Sequence, residues 1–147
     1  MSAPRAGVYV GLDYGRKRIG LAVSTPLRTV HPRPRLERSG EKPDLAFLCA
    51  LAHETEAEAF VLGLPHNMDG TLSEMEQEVR AFALRLAAES GLPIYGSDER
   101  LTSEAAESAL RQQELRGRER KARRDSAAAC ILLSEFLEGE GARERLA

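Results

Sequence analysis

The segment Val8–Ser24, VYVGLDYGRKRIGLAVS, predicts the start of a β-sheet. Its first six residues alternate between an apolar and a mixed face, as in a strand with one face in the core. Tyr14–Lys17 then has the glycine and polar residues of a tight turn. The run from Arg18 to Ser24 predicts the returning strand of a hairpin. The chain therefore opens with two antiparallel strands, the first of which ends at Asp13.

Further strands and helices are predicted along the rest of the chain. A third extended segment at 29–36 contains Pro32 and Pro34, which favour a sheet edge. Thr71 and Glu74 form a capping-box pattern before an amphipathic helix that Gly91 ends. The remaining expected elements are a helix at 42–55, strands at 59–63 and 94–97, a helix from Thr102 and a last helix at 126–137. This order predicts an α/β fold with a mixed five-stranded sheet, three antiparallel strands followed by parallel ones, and helices on both faces.

Length and composition are those of one domain that spans residues 1–147. We expect flexible ends at 1–7 and 139–147, and a flexible basic loop at 112–124. Cys49 and Cys130 lie in apolar helical patterns, which favours reduced thiols. No apolar run is long enough to span a membrane, and the N-terminus lacks a signal-peptide pattern, so we expect a cytoplasmic protein with no membrane partner.

The charges are unevenly distributed although the net charge is only −2. Residues 1–42 contain nine Lys and Arg against three acids, whereas residues 43–110 contain three against thirteen. Nucleic-acid binding depends on local basic patches rather than on the total charge. The pattern is compatible with a nucleic-acid partner, and equally with basic faces that are only solvated.

Acidic residues follow or precede the predicted elements at three places. Asp13 ends the first strand on the face of Gly11, whose missing side chain predicts open space beside the carboxylate. Asp98 and Glu99 follow a later strand, and alternation allows only one of them to share a site with Asp13. Asp125 opens the last helix, on the stripe continued by Ala129, Leu132 and Phe136. Each has an ordinary alternative, since Asp13 also suits a turn, Arg100 also suits an ion pair with its neighbours, and Asp125 also suits a helix cap.

Three convergent carboxylates are suitable ligands for Mg²⁺ or Mn²⁺, which prefer oxygen and keep waters for substrate phosphates. Two such ions can activate a water and stabilise the leaving oxygen of a phosphodiester. The scattered histidines and cysteines offer no competing zinc pattern.

Four segments together resemble the YqgF/RuvX family of Holliday-junction resolvase-like proteins, which are also described as pre-16S rRNA nucleases. They occur in the family's order, and the match covers essentially the whole chain. The four segments are Gly11–Ser24, Gly63–Thr71, Asp98–Ser103 and 125–129. The resemblance implies an RNase H-like fold and a metal site of Asp13, Asp125 and one residue of the Asp98-Glu99 pair, with Glu99 the family's usual choice.

Basic and turn residues near these acids are the expected contacts to nucleic acid. A helix N-terminus after Gly63-Leu64-Pro65 is a natural phosphate site. The basic loop before Asp125 could close over a phosphate backbone and supply affinity with little sequence specificity. The candidate contacts are Arg16, Lys17, Arg18, Asn67, Gly70, Thr71, Arg100, Arg116, Arg118, Arg120, Lys121, Arg123 and Arg124.

Several interpretations remain open at this point. The resemblance favours maturation of the 5′ end of pre-16S rRNA, with a pre-ribosomal particle as partner, and branched-DNA cleavage is the alternative. Junction cleavage needs a two-fold dimer, whereas rRNA cutting can be done by a monomer. ATP-binding domains also begin with an Asp-x-Gly segment and a hairpin. They need a second domain and a second glycine-rich phosphate loop, and this sequence shows neither. The third interpretation is a non-catalytic module that binds nucleic acid.

Overall fold

The computed structural model describes residues 7–65, 72–98, 126–139 and 143–147. Nine helices and strands lie in these ranges. In chain order they are β1 Tyr9–Asp13, β2 Arg18–Ser24, β3 Val30–Glu37, α1 Glu41–Thr55, β4 Ala59–Leu64, α2 Glu74–Ser90, β5 Ile94–Asp98, α3 Ala127–Glu138 and β6 Arg143–Arg145.

The strands form one mixed sheet in the order β3-β2-β1-β4-β5-β6. β1, β2 and β3 pair antiparallel, whereas β1, β4 and β5 run parallel to one another. β3, with its two prolines, lies at one edge, as predicted. The hairpin at the start and the parallel strands that follow confirm the arrangement expected from the sequence.

The two faces of the sheet carry separate apolar cores. On one face, α1 and α2 pack against residues such as Val10, Leu12 and Leu62. On the other face, α3 packs against Tyr9, Ala22 and Val61 through its own buried apolar residues. Residues of β1 alternate between the two cores, because successive side chains in a strand point to opposite faces. The prediction of helices on both faces is confirmed.

The predicted count of five strands is wrong, because β6 adds a sixth at the edge beside β5. Its sequence, Arg-Glu-Arg, has no apolar alternation that could indicate a strand. The strand is held by tertiary contacts: Arg80 of α2 donates to both carboxylate oxygens of Glu144, at 2.7 and 3.2 Å. Leu146, just after the strand, donates its backbone N–H to the Ile94 carbonyl at 2.7 Å.

The N-terminus of α2 also differs from the prediction. Ser73 is the N-cap, and its hydroxyl accepts from the backbone N–H of Glu76 at 3.0 Å. The Ser73 hydroxyl also donates to the Pro65 carbonyl at 2.9 Å, so the cap is tied to the end of the β4 segment. The expected box of Thr71 and Glu74 is therefore displaced by two residues, since Glu74 is already the first helical residue. Leu72, just before this cap, is exposed.

Candidate active site

The carboxyl ends of the parallel strands bring Asp13 and the backbone of Asp98 to one edge of the sheet. Leu12 of β1 pairs with Leu62 of β4, and Leu64 of β4 pairs with Asp98 of β5. Asp13 is the last residue of β1 and is partly exposed. Crevices outside the carboxyl ends of such strands are the usual location of ligand sites in α/β sheets. This edge of the sheet is therefore the candidate site.

Asp13 lies on the face of the sheet that α3 covers. Tyr9, four residues earlier in β1, belongs to the apolar cluster of α3, and its ring meets that of Phe136 at 5.5 Å. Because residues two apart in a strand share a face, Gly11 and Asp13 share this face with Tyr9.

The open space predicted at Gly11 is not there. A Cβ at this position would lie 3.1 Å from the Ala129 carbonyl oxygen and 3.1 Å from Cβ of Leu133. Glycine allows the backbone of α3 to approach β1 closely. The missing side chain thus serves helix packing two residues before Asp13 and does not open a cavity.

The stripe of the last helix on which Asp125 was predicted to lie is buried at its later members. Ala129, Leu132 and Phe136 are each fully buried in the core under α3. Asp125 itself lies outside the described residues, and so does Glu99. Of Asp98, the structure describes only the backbone position at the end of β5. Within the described ranges no three His, Cys, Asp or Glu residues form a group that could hold a metal ion.

The basic turn after Asp13 is exposed, as expected for a surface that meets a polyanion. Arg16, Lys17 and Arg18 all have exposed side chains. Arg16 forms a 2.8 Å ion pair with Glu78 of α2, and Arg18 lies 3.9 Å from Glu37. The hydrogen bond with Glu78 raises the pKa of Arg16 above its usual value. Exposed pairs of this kind are weak, so a phosphate can compete for these cations.

Arg38, which no sequence pattern indicated, holds this turn in place. Its guanidinium lies 4.9 Å from the centroid of the Tyr14 ring and 5.3 Å from that of Phe82. It donates to Oδ2 of Asp44 at 3.0 Å and to the Gly15 carbonyl at 3.2 Å. Burial lowers the pKa of Arg38, but Tyr14 and Asp44 outweigh this effect and raise it above the usual value. No local motif indicates this contact, since Tyr14 and Arg38 are far apart in the chain.

The other predicted contacts fall outside the described residues. They are Asn67, Gly70, Thr71, Arg100, Arg116, Arg118, Arg120, Lys121, Arg123 and Arg124. No helix in the described part of the chain has the length and apolar character needed to cross a membrane.

Comparison with known families gives one match that spans most of the chain. The sequence profile of a family described as RuvX, Holliday junction resolvase, matches residues 7–139. This range contains all four segments that suggested the resemblance.

Relatives of similar length are named as candidate pre-16S rRNA nucleases. One from Anaeromyxobacter sp. (strain Fw109-5) is 42% identical over 135 residues, which cover 91% of this chain and 98% of the relative. Another from Syntrophomonas wolfei is 40% identical over 131 residues, covering 88% of this chain and 93% of the relative.

Solved structures of RuvC from Thermus thermophilus share the fold. The protein alone gives a TM-score of 0.57 at 15% identity, covering 93% of this chain and 99% of the other. The same protein in complex with a Holliday junction substrate gives a TM-score of 0.59 at 17% identity, with 94% and 99% covered. At this level of identity the likeness concerns the fold alone, and it agrees with the expected RNase H-like architecture.

Proposed function

The chain belongs to the RuvX family, and on that premise we propose that it is a divalent-metal-dependent nuclease acting in the 5′-end maturation of pre-16S rRNA. The observation that carries this proposal is the position of Asp13. Asp13 is the last residue of β1, so its side chain lies at the carboxyl ends of the parallel strands, on the face that α3 covers. The exposed turn that follows it carries three cations. The proposed metal ligand is therefore adjacent to a basic surface suited to phosphate.

The proposed metal ligands are Asp13, Glu99 and Asp125. Their oxygens match the preference of Mg²⁺ and Mn²⁺, and two ions are expected when substrate is bound. When bound, such ions lower the pKa of a water and stabilise the charge on the leaving oxygen. Asp125 directly precedes Ser126, the N-cap of α3, and thus adjoins the helix that covers the Asp13 face.

Strand alternation supports Glu99 over its neighbour Asp98. Tyr95 of β5 packs against the α3 core, and Ser97, two residues further, is buried. A residue two positions beyond Ser97 in an extended chain would share that face with Asp13. Asp98 remains the alternative ligand.

The cations around the site are proposed to bind the substrate backbone. Arg16, Lys17 and Arg18 would attract phosphates beside Asp13, and Arg38 keeps their turn in place. The proposed contacts also include Asn67, Gly70, Thr71, Arg100 and the basic residues of 112–124. Contacts to phosphate position a nucleic acid without reading its sequence, so we expect recognition of shape and charge.

Precursor rRNA is favoured as substrate because the relatives at about 40% identity carry that name over nearly their whole length. A pre-ribosomal particle in the cytoplasm is then the natural partner. The second candidate is branched DNA, which the description of the family and the RuvC complex favour. Symmetric junction cleavage requires a homodimer, whereas rRNA cutting is open to a monomer.

The decisive experiment compares the wild type with Asp13→Asn, which removes the carboxylate charge at nearly constant shape. Both are incubated with Mn²⁺ or Mg²⁺ and with two labelled substrates, a pre-16S RNA 5′ segment and a four-way DNA junction. We expect metal-dependent cleavage of the RNA by the wild type and only background in the variant.

Glu54→Gln is the matched control, since Glu54 is an exposed carboxylate near the end of α1. It should cleave as the wild type does. Preferential cleavage of the junction would replace the rRNA proposal by the resolvase one. Equal activity of Asp13→Asn and wild type would contradict the proposed site.

A further inference from the structure

A cavity of about 400 Å³ opens beside the basic turn, on the side of the sheet that α1 and α2 cover. It is lined by Tyr14, Arg16, Arg38, Gly40, Asp44 and Glu78. Tyr14 packs against Phe82 of α2, with 5.1 Å between the ring centroids. Because Tyr14 directly follows Asp13 in the chain, the cavity adjoins the candidate active site.

The charges around this cavity balance one another. Arg16 and Arg38 contribute two cations, and Asp44 and Glu78 contribute two carboxylates. A phosphate inside the cavity would meet both carboxylates, and contact between like charges opposes binding. The cavity therefore favours a neutral ligand with hydrogen-bond donors and acceptors, and in a nucleic acid that ligand is a base. Arg16 still adds to the attraction of the turn for a polyanion, because long-range attraction needs no direct contact.

The inner ion pair of the cavity is committed to the protein itself. Arg38 donates through Nε to Oδ2 of Asp44 at 3.0 Å, and the backbone N–H of Ser39 donates to Oδ1 at 3.2 Å. The Asp44 side chain is almost fully buried. Both of its carboxylate oxygens have protein partners, so this pair shapes the cavity and leaves the outer pair to meet a ligand.

The outer pair, Arg16 and Glu78, is open to solvent. Nε of Arg16 donates to Oε2 of Glu78 at 2.8 Å, and the two side chains are 58% and 40% exposed. Each carboxylate oxygen can accept more than one hydrogen bond, and a guanidinium has N–H donors besides Nε–H. The contact between the two side chains therefore leaves hydrogen-bonding capacity on both. Seen from the cavity, the pair can offer one donor beside two acceptors.

We infer that Arg16 and Glu78 bind an unpaired guanine of the RNA strand, close to the phosphate at Asp13, an inference that rests on the proposed function. Unpaired bases in RNA are commonly read by hydrogen bonds to their Watson–Crick edges. On guanine this edge carries the acceptor O6 beside two donors, N1–H and the N2 amino group. An N–H of Arg16 donates to O6, while the two oxygens of Glu78 accept from N1–H and from the amino group.

The other three bases do not match this pattern. Adenine and cytosine each place a ring nitrogen acceptor where guanine has N1–H, and uracil places a carbonyl oxygen where guanine has its amino group. In each case an acceptor would face the Glu78 carboxylate without a proton between them. The pair thus adds the reading of one base to a recognition that otherwise depends on shape and charge.

The test measures RNA binding by fluorescence anisotropy with Asp13→Asn, which prevents cleavage. The probes are labelled uridine tracts that differ only in one central base, which is guanine, inosine or adenine. Inosine keeps O6 and N1–H but lacks the amino group. We expect the guanine tract to bind about ten-fold more tightly than the adenine tract, since a bidentate contact to a base discriminates by about that factor or more. The inosine tract should lie between them.

Glu78→Gln is the critical comparison, because the amide replaces one acceptor by a donor. Combined with Asp13→Asn, it should reduce the ratio of guanine to adenine affinity to about one. Glu89→Gln is the matched control, since Glu89 is an exposed carboxylate near the other end of α2, and it should leave the ratio unchanged. The ratio is the readout because either change also removes a negative charge and strengthens the general attraction for RNA.

Equal affinity of Asp13→Asn for the three tracts would overturn the inference, and so would a guanine preference that survives Glu78→Gln. Free GMP is titrated alongside the tracts. If GMP binds as tightly as the guanine tract, the cavity belongs to a free nucleotide and the inference is again overturned. Failure of the proposed function is distinct: a wild type that cleaves neither RNA nor DNA contradicts the nuclease, while a guanine preference in Asp13→Asn still supports the base site.

Discussion

Gly11 shows how one missing side chain determines the packing beside the candidate site. A methyl group there would lie within 3.1 Å of the α3 backbone at Ala129. Overpacking of this kind costs about 1–3 kcal/mol. We expect Gly11→Ala to lower the free energy of unfolding by that amount and to reduce cleavage, because α3 must shift relative to Asp13. Urea unfolding and a cleavage assay check both effects.

Val10→Ala is the control for Gly11→Ala, since Val10 lies in the same strand but faces the core under α1 and α2. Val10→Ala should lower the free energy of unfolding but reduce cleavage less than Gly11→Ala does. Equal cleavage by the two variants at equal stability would show that the approach of α3 to β1 is not important for the site.

Arg38 and Asp44 form the second residue-scale feature. The Asp44 side chain is 1% exposed and that of Arg38 is 15% exposed. Removing one partner of such a pair leaves a buried charge, at a cost of about 3–5 kcal/mol. We expect Arg38→Met to destabilise the fold by a value near the lower end of this range and to weaken substrate binding, because the Gly15 contact is lost as well.

A double-mutant cycle separates the pair from its surroundings. Arg38→Met combined with Asp44→Asn should destabilise the protein by less than the sum of the single changes. Strict additivity, measured by urea unfolding, would contradict an energetic coupling between the two side chains.

At the scale of elements, the start of α2 depends on Ser73. Its hydroxyl caps the helix and also contacts the Pro65 carbonyl after β4. Loss of an N-cap typically costs about 1 kcal/mol. Ser73→Ala should therefore reduce stability by about 1 kcal/mol in urea unfolding. Thr71→Ala is the comparison, because the sequence pattern predicted the capping residue at that position. A larger loss of stability in Thr71→Ala than in Ser73→Ala would favour the original capping prediction.

At the scale of the whole molecule, the uneven charge determines how binding responds to salt. Each cation that neutralises a phosphate contributes about 0.7 to 0.9 to the slope of log affinity against log salt. We expect a variant with Arg120 and Lys121 changed to Gln to bind a pre-16S RNA segment more weakly and with a slope smaller by about 1–2. The Asp13→Asn background prevents cleavage during the titration.

The matched control removes two cations at the end of the sheet opposite Asp13, where the parallel strands begin. Arg28 lies in the loop between β2 and β3, and Arg145 pairs with Tyr95 near the start of β5. Changing both to Gln should leave the slope of the salt dependence unchanged. An unchanged slope in the Arg120 and Lys121 variant would instead contradict the proposed contact of the basic loop.

Strand alternation and helical spacing are local periodicities, so the hairpin, the parallel strands and the buried stripe of α3 were predictable from the sequence alone. The sequence also indicated Asp13 as a candidate ligand, since its motif is contiguous. Four features became visible only in the folded chain. They are the close approach of α3 at Gly11, the Arg38 contact with the basic turn, the polar strand β6 and the hydrogen bonds of Ser126 with the backbone of β2 and β3. Each of these joins residues distant in the chain through backbone groups or buried charges. Local sequence patterns do not predict such pairings, because the partners come into contact only when the chain folds.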